Sequence, residues 1–178
     1  MARALVIIDI QNDYFPGGRS ELVGADAAAA RAADVLAGFR ERGEQVVHLQ
    51  HVWDAPDAEF FAPGTPGVDI NDAVAPDDGE PVIQKAFPNG FQQTDLEQRL
   101  RDSGADELVL CGMMTSMCVD ATVRAAVDLG FECTVVHDAC ATKDLSFDGR
   151  PVAAADVHAA FLAALGDGYA ALTSASDV

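Results

Sequence analysis

The sequence predicts an α/β protein of three layers, in which a doubly wound parallel sheet lies between two layers of helices. Short apolar segments of strand length alternate along the 178 residues with segments of helical periodicity. Most strand segments are apolar on both faces, which is typical of strands in a buried parallel sheet. Gly43, Gly104 and Gly130 close three of the helical segments. Right-handed crossovers between parallel strands then place helices on both faces of the sheet.

The individual elements follow in chain order. The predicted strands are 4–9, 45–52, 81–84, 108–111, 133–137 and 169–172. The predicted helices are 25–42, 95–103, the segment from about Met117 to Gly130, and 152–165. Thr94 begins the second helix in the pattern of a capping box. We expect loops at 53–78 and 139–150, and a single domain over residues 1–178.

Composition excludes several classes of function. The chain carries 29 acidic and 11 basic side chains, a formal charge of −18. Nucleic acid and anionic membrane surfaces both require basic patches, so neither is expected as a partner. No apolar run approaches the roughly 18 residues that cross a bilayer. Without the pattern of a signal peptide at residues 1–9, a cytoplasmic protein is expected.

The four cysteines show no C-x-x-C spacing. Cys111, Cys133 and Cys140 lie in or beside predicted strands, and we expect reduced, packed thiols there. Cys118 follows the strand 108–111 and lies in the first turn of the next helix. Unpaired amides and the helix dipole at such a place lower the pKa of a thiol and can bind an oxyanion. The alternative is that Cys118 is simply a small buried apolar residue.

Three reactive side chains follow the ends of three predicted strands: Asp9, Lys85 and Cys118. The carboxyl ends of parallel strands share one edge of the sheet, where ligands bind. If the strands are neighbours, Asp9 could act as general base, Lys85 could favour the anions, and Cys118 could attack a carbonyl. The alternatives are a turn aspartate and a solvated surface lysine. Lys85 is, however, one of only two lysines in the chain.

These residues resemble a known catalytic triad. Asp9 in VIIDIQND, Lys85 in VIQK and Cys118 in GMMTSMCV are similar to the Asp–Lys–Cys triad of the isochorismatase-like cysteine hydrolases. That family includes nicotinamidases, N-carbamoylsarcosine amidases, ureidoacrylate and biuret hydrolases, and isochorismatases. The resemblance implies a six-stranded parallel sheet between helices. It covers nearly the whole chain and includes four further residues: Phe91, Thr94, Leu96 and Thr122.

The resemblance also implies details of the site. The Met113–Met114 peptide bond would be cis, and the amides of Met114 and Cys118 would form an oxyanion hole. Nicotinamidases carry an Asp-x-His metal pair whose equivalents here are His51 and Trp53, so we expect no catalytic metal. Family members usually assemble as dimers, tetramers or larger, so a homo-oligomer is expected, with no cofactor.

The candidate substrate-binding residues are less specific. Aromatic side chains are unusual in a solvated loop, so the segment 53–78 forms either a pocket wall or an oligomer contact. Gln11 could orient Asp9 or a substrate. His137 and His158 have ordinary structural interpretations. The residues assigned to substrate binding are Gln11, Trp53, Phe60, Phe61 and Phe91.

The function predicted from the sequence is that of a metal-independent cysteine hydrolase. It would cleave a C–N bond in a small amide, carbamoyl or ureido substrate through a thioester on Cys118. One alternative is an isochorismatase-type vinyl-ether hydrolase, although isochorismatases proper generally lack the cysteine. Another is a non-catalytic oligomeric scaffold or a thiol redox protein. A redox protein would require a resolving cysteine near Cys118, and Cys111, on the adjacent strand, is expected to face the core.

Overall fold

A six-stranded parallel sheet forms the centre of the molecule, as predicted, in a computed structural model that describes residues 2–178. The strands are β1 (Ala2–Ile8), β2 (Gln45–His51), β3 (Val82–Lys85), β4 (Ala105–Met113), β5 (Glu132–Ala141), β6 (Leu145–Phe147), β7 (Arg150–Val152) and β8 (Ala171–Thr173). The helices are α1 (Ala25–Arg42), α2 (Leu96–Asp102), α3 (Asp120–Asp128) and α4 (Ala154–Gly168).

The strand order places the chain reversal at the centre of the sheet. The six strands are arranged β3-β2-β1-β4-β5-β8, and each neighbouring pair is parallel. The chain moves outward from β1 to β3 and then returns to the other side of β1 with β4. A crevice forms outside the carboxyl ends of strands at such a switch point, and ligands bind there. The residues that follow β1 and β4 therefore become neighbours.

The central strands are buried because both faces are covered. Residues 4–8 of β1 and 108–111 of β4 are at most 1% exposed, which explains why the sequence shows continuous apolar runs rather than alternation. The strand predicted to end at residue 111 continues through Gly112. The φ of Gly112 is +136°, and a Cβ at this position would collide with the carbonyl oxygen of Ile8. Glycine thus allows β4 to continue to Met113 in close contact with β1.

Several local expectations need correction. The segment 139–150 is not a loop, because β5 continues to Ala141 and the exposed β6 and β7 form an antiparallel hairpin. The capping box is not formed, because α2 begins at Leu96 with Asp95 at the N-cap; the Thr94 hydroxyl donates to Gly90 O at 2.6 Å and accepts from Leu96 N at 3.4 Å. A five-residue π-helical turn, Thr115–Val119, comes before α3. The segment 53–78 contains two short 3-10 turns, Pro66–Val68 and Asp72–Val74.

The cysteines of the protein are free thiols. All four cysteines are buried and unpaired, as expected for packed thiols. Within residues 2–178, the model contains no helix with both the length and the apolar character required to cross a membrane.

Candidate active site

Asp9, Lys85 and Cys118 lie together at the carboxyl edge of the sheet. Lys85 Nζ is 2.7 Å from Asp9 Oδ2, and both side chains are fully buried. Side-chain ligand atoms of Asp9, His51 and Cys118 all lie within 4.8 Å of one another. The Cys118 residue is 3% exposed. The structure thus brings the predicted acid, cation and thiol into contact distance.

Backbone geometry holds each member of this group in place. Asp9 follows β1 with a φ of +50°, and its N–H donates to Leu49 O at 3.1 Å. This bond continues the pairing of β1 with β2 beyond the end of the strand. Lys85 is the last residue of β3 and is in register with His51 of β2. The strand ends therefore determine where the acid and the cation meet.

The π-helical turn positions Cys118. Val119 N donates to Met114 O at 3.2 Å, and the Met113–Met114 peptide bond is cis, at the place that the family resemblance implies. Thr115 Oγ1 lies 2.9 Å from His158 Nδ1 of α4. The histidine that the sequence presents as an ordinary helix residue therefore anchors the turn that carries the thiol.

His51 is the residue of this site that the sequence did not identify. Its Nδ1 accepts from Lys85 Nζ at 3.0 Å, and Phe87 O accepts from the same ammonium at 3.0 Å. Burial and the charge of Lys85 lower the pKa of His51 to about 4, so the imidazole is neutral at pH 7. The sequence placed His51 only at a metal position, since nothing in its spacing indicates a contact with Lys85.

Gln11 does not face a substrate. It is fully buried, and its amide donates to His51 O at 2.8 Å and Val68 O at 2.7 Å. Its Oε1 accepts from His51 N at 2.8 Å. Because both amide hydrogens and the oxygen are engaged by the backbone, Gln11 holds His51 in place. The assignment of Gln11 to substrate binding is wrong.

Burial and neighbouring charges make Asp9 a base that lies beside a protonated Cys118 thiol. Burial raises the pKa of Asp9, and the charge of Lys85 only partly offsets this effect. Burial also raises the pKa of the Cys118 thiol, and the negative charge of Asp9 raises it further. The expectation of a lowered thiol pKa at the start of the helix is therefore wrong, because desolvation and the neighbouring anion outweigh the helix terminus.

A cavity of about 250 Å³ opens onto Cys118. Trp53 and Phe60 from the loop 53–78 form part of its wall, so this loop contributes to the pocket. Tyr14 and Met117 were not predicted from the sequence, since both lie in segments whose path it does not determine. The lining residues are Tyr14, His51, Trp53, Phe60, Ala86, Pro88, Met114, Met117 and Cys118.

Two aromatic residues assigned to substrate binding lie elsewhere. Phe61 is fully buried behind the wall, where its ring centroid is 4.7 Å from that of Tyr14. Phe91 stacks on Phe131 with centroids 6.1 Å apart and lines a different surface cleft. The assignments of Phe61 and Phe91 to substrate binding are wrong. An aromatic residue close to the triad in sequence can equally well lie in the core or pack at another part of the surface.

One group of side chains in this site could in principle bind a metal ion. Asp9, His51 and Cys118 offer one oxygen, one nitrogen and one sulfur ligand, a set that suits zinc. The ammonium of Lys85 lies 2.7 Å from Asp9 Oδ2 and 3.0 Å from His51 Nδ1, so a cation already contacts two of the three ligands. Trp53, at the second metal position of the nicotinamidase pattern, offers no ligand atom.

Comparisons with known proteins agree with this architecture. The family model described as the Isochorismatase domain matches residues 3–177. An isochorismatase family protein of Bacillus subtilis is 50% identical over 170 residues, which cover 96% of this chain and 94% of the relative. An isochorismatase hydrolase structure from Oleispira antarctica has 49% identity and a TM-score of 0.96 over 99% of this chain and 95% of that chain.

One solved relative has an activity in its name. N-carbamoylsarcosine amidase from Thermoplasma acidophilum is 26% identical, with a TM-score of 0.85 over 100% of this chain and 99% of that chain. Family members are hydrolases, and their relatives include amidohydrolases that act on C–N bonds. With a family match along nearly its whole length, this chain belongs to the isochorismatase family of hydrolases.

Proposed function

We propose that this protein is a cysteine hydrolase that cleaves the C–N bond of a small amide, carbamoyl or ureido compound through a thioester on Cys118. The observation that supports this most directly is a buried thiol within 4.8 Å of a lysine-paired carboxylate, beside a cavity that opens onto the thiol. An attacking thiol, a base and a cation are the groups that acyl transfer through sulfur requires.

The first half-reaction forms the thioester. Asp9 takes the proton of the Cys118 thiol as Sγ attacks the carbonyl carbon of the substrate. The raised pKa of Asp9 makes it a stronger base than an exposed aspartate. The tetrahedral oxyanion accepts hydrogen bonds from the backbone amides of Met114 and Cys118. Both residues line the cavity. Asp9 then donates its proton to the leaving nitrogen as the C–N bond breaks.

The second half-reaction releases the acid. Asp9 removes a proton from water, the hydroxide attacks the thioester carbonyl, and the C–S bond breaks. The proton returns from Asp9 to the Cys118 thiolate, which restores the resting enzyme. Lys85 remains an ammonium throughout and stabilises the carboxylate form of Asp9 whenever a base is needed.

Replacement of the nucleophile tests this mechanism. Cys118→Ala is expected to lower kcat/KM on any amide substrate by at least ~10³-fold, because no other nucleophile can form the acyl intermediate. Cys133→Ala is the matched control, since Cys133 is a buried thiol of β5 outside the cavity. Wild-type enzyme with hydroxylamine as competing nucleophile should release a hydroxamate from the thioester.

Retained activity in Cys118→Ala would overturn the thioester mechanism and favour the vinyl-ether hydrolase. Hydrolysis by wild-type enzyme should also survive dialysis against EDTA, because the proposed nucleophile and base are protein side chains. Loss of activity with EDTA and its recovery with Zn²⁺ would instead assign Asp9, His51 and Cys118 to a metal site.

We also propose a homo-oligomer, either a dimer or a tetramer. The β6–β7 hairpin carries Phe147, which is 80% exposed, and Leu145, which is 38% exposed. Exposed apolar side chains of this size on a projecting hairpin are suited to a protein contact. Light scattering is expected to give a multiple of the monomer mass, and Phe147→Ser is expected to lower it. A wild-type monomer would contradict the proposal.

A further inference from the structure

We infer that the substrate is an uncharged amide with an apolar remainder, rather than an amide that carries a carboxylate. The inference rests on the proposed function, because it concerns what the same cavity binds. The cavity wall, the engagement of Lys85 and the charge around the entrance support it independently of one another.

The cavity wall contains no cation. Within residues 2–178, the side chains that line it are aromatic, aliphatic, thioether, thiol or imidazole groups, and none is lysine or arginine. The imidazole of His51 accepts a hydrogen bond from the Lys85 ammonium through Nδ1, which is therefore unprotonated. A carboxylate that enters such a space loses its hydration without gaining an ionic partner, which disfavours its binding. An apolar group of the same shape has no such penalty.

Lys85 is not available to a substrate anion. Its ammonium donates hydrogen bonds to His51 Nδ1 and Phe87 O, both at 3.0 Å, and forms an ion pair with Asp9 Oδ2 at 2.7 Å. Its charge is offset by the buried carboxylate of Asp9. The other lysine of the chain, Lys143, does not line the cavity.

Charge outside the cavity adds to this selection. The loop that supplies Trp53 and Phe60 carries three exposed carboxylates between them, Asp54, Asp57 and Glu59, and no basic residue. The whole chain has a formal charge of −18. Such a field lowers the local concentration of anions and slows their entry.

The polar groups inside the cavity suit a neutral amide. Tyr14 lines the same cavity as Cys118, and burial raises the pKa of its phenol, which is therefore protonated. A neutral hydroxyl beside the nucleophile can donate to an amide or carbamoyl oxygen. A hydroxyl is a much weaker partner than a guanidinium for a carboxylate.

Alkylation of Cys118 by two reagents of nearly equal size tests this without knowledge of the substrate. Iodoacetamide is neutral and iodoacetate is anionic. At pH 8.5, the ratio of their rates at Cys118, divided by the same ratio for glutathione, is expected to be on the order of 10 or more in favour of iodoacetamide. Added salt should raise the iodoacetate rate by screening the repulsion.

A cation introduced at the entrance should reverse this preference. Met117 lines the cavity and is 50% exposed, so its replacement is compatible with the fold. Met117→Arg is expected to raise the relative iodoacetate rate about 10-fold, since an arginine can pair with the carboxylate. Met117→Gln is the matched neutral control and should leave the ratio unchanged, as should Lys143→Ala.

Hydrolysis of matched amides gives the second measurement. Hexanamide and adipamate differ by a methyl group in place of a carboxylate, and adipamide replaces that carboxylate with a neutral polar group. The expected order of kcat/KM is hexanamide, adipamide, adipamate, with a difference on the order of 10²-fold between the first and the last. Equal alkylation ratios for Cys118 and glutathione, or preference for adipamate, would overturn the inference.

Failure of the inference is distinguishable from failure of the proposed function. Preference for anions together with complete loss of activity in Cys118→Ala would leave the cysteine hydrolase intact and remove only the substrate class. Hydrolysis that survives Cys118→Ala would remove the proposed mechanism, while the alkylation ratio would still report whether the cavity excludes anions.

Discussion

The two histidines of β2 are three residues apart and enter opposite kinds of site. His48 is 1% exposed and pairs through Nε2 with Glu80 Oε2 at 2.9 Å, whereas His51 accepts from Lys85 beside the nucleophile. Burial lowers the pKa of both imidazoles. One strand therefore delivers one histidine to a carboxylate and the other to an ammonium, because residues three apart project from opposite faces.

The two carboxylates in these clusters differ in how fully they are satisfied. Glu80 accepts hydrogen bonds from Nε and Nη2 of Arg40, each at 2.8 Å, and from Asp77 N at 3.0 Å. These bonds lower the pKa of Glu80 to about 2. Asp9 is fully buried, and neither Oδ1 nor Oδ2 has a hydrogen bond of normal geometry in the described chain, although Lys85 Nζ lies 2.7 Å from Oδ2. Its raised pKa follows. A satisfied carboxylate stabilises the fold, while an under-satisfied buried carboxylate is a base.

The largest expected effect comes from removal of the cation that pairs with each carboxylate: Lys85 with Asp9, and Arg40 with Glu80. Lys85→Met should lower kcat/KM by at least ~10³-fold, because Asp9 without the ammonium becomes protonated and cannot accept the thiol proton. Arg40→Met should lower the free energy of unfolding by about 1–3 kcal/mol through the loss of its bonds to Glu80, with little change in kcat/KM. Comparable activity losses in both variants would break the comparison.

The second prediction concerns stability against pH. His51 titrates near pH 6.5 when unfolded and near pH 4 when folded, so the unfolded chain binds more protons in this window. The free energy of unfolding should therefore fall as pH decreases from about 6.5 to about 4, by ~3 kcal/mol from His51 alone. His48 adds in the same direction. Urea titrations of wild type and His51→Asn measure the slope, and equal slopes would contradict the prediction.

The third prediction compares the histidines directly. His51→Asn should lower kcat/KM on the order of 10²-fold, because Lys85 loses an acceptor and moves relative to Asp9. The loss should appear mainly in kcat, with a changed acid limb of the pH profile, since His51 acts through Lys85. His48→Asn should leave kcat within about twofold while it removes the bond to Glu80, at about 1–3 kcal/mol of stability. A larger kcat loss in His48→Asn would reverse the assignment.

The smallest effect is expected at the cavity wall. Tyr14→Phe removes one hydroxyl and keeps the edge contact with Phe61, whose centroid is 4.7 Å away. We expect kcat/KM to fall about 10-fold, the equivalent of one hydrogen bond to the substrate. The melting temperature should not change. Tyr169→Phe, at the C-terminal end of α4 under Arg124 and outside the cavity lining, is the control, and an equal loss there would exclude a specific role for the Tyr14 hydroxyl.

Residue patterns predicted the sheet well because parallel strands buried on both faces are necessarily apolar. The predicted strands 4–9 and 81–84 end within one residue of the observed ends of β1 and β3. Gly112 was misinterpreted, since a glycine that permits close strand contact and one that ends a strand look identical in sequence. The β6–β7 hairpin was missed because its exposed strands have no apolar face to repeat.

The sequence by itself determined the doubly wound sheet and the presence of Asp9, Lys85 and Cys118 at or after strand ends, because apolar runs and helical periodicity are local properties of the chain. Only the tertiary structure decided that His51 contacts Lys85, that Gln11 is occupied by backbone, and that Tyr14 rather than Phe61 faces the cavity. These outcomes depend on strand register and on the path of long loops. The pKa values of the site followed the same rule, since desolvation exists only after the chain has closed around the charge.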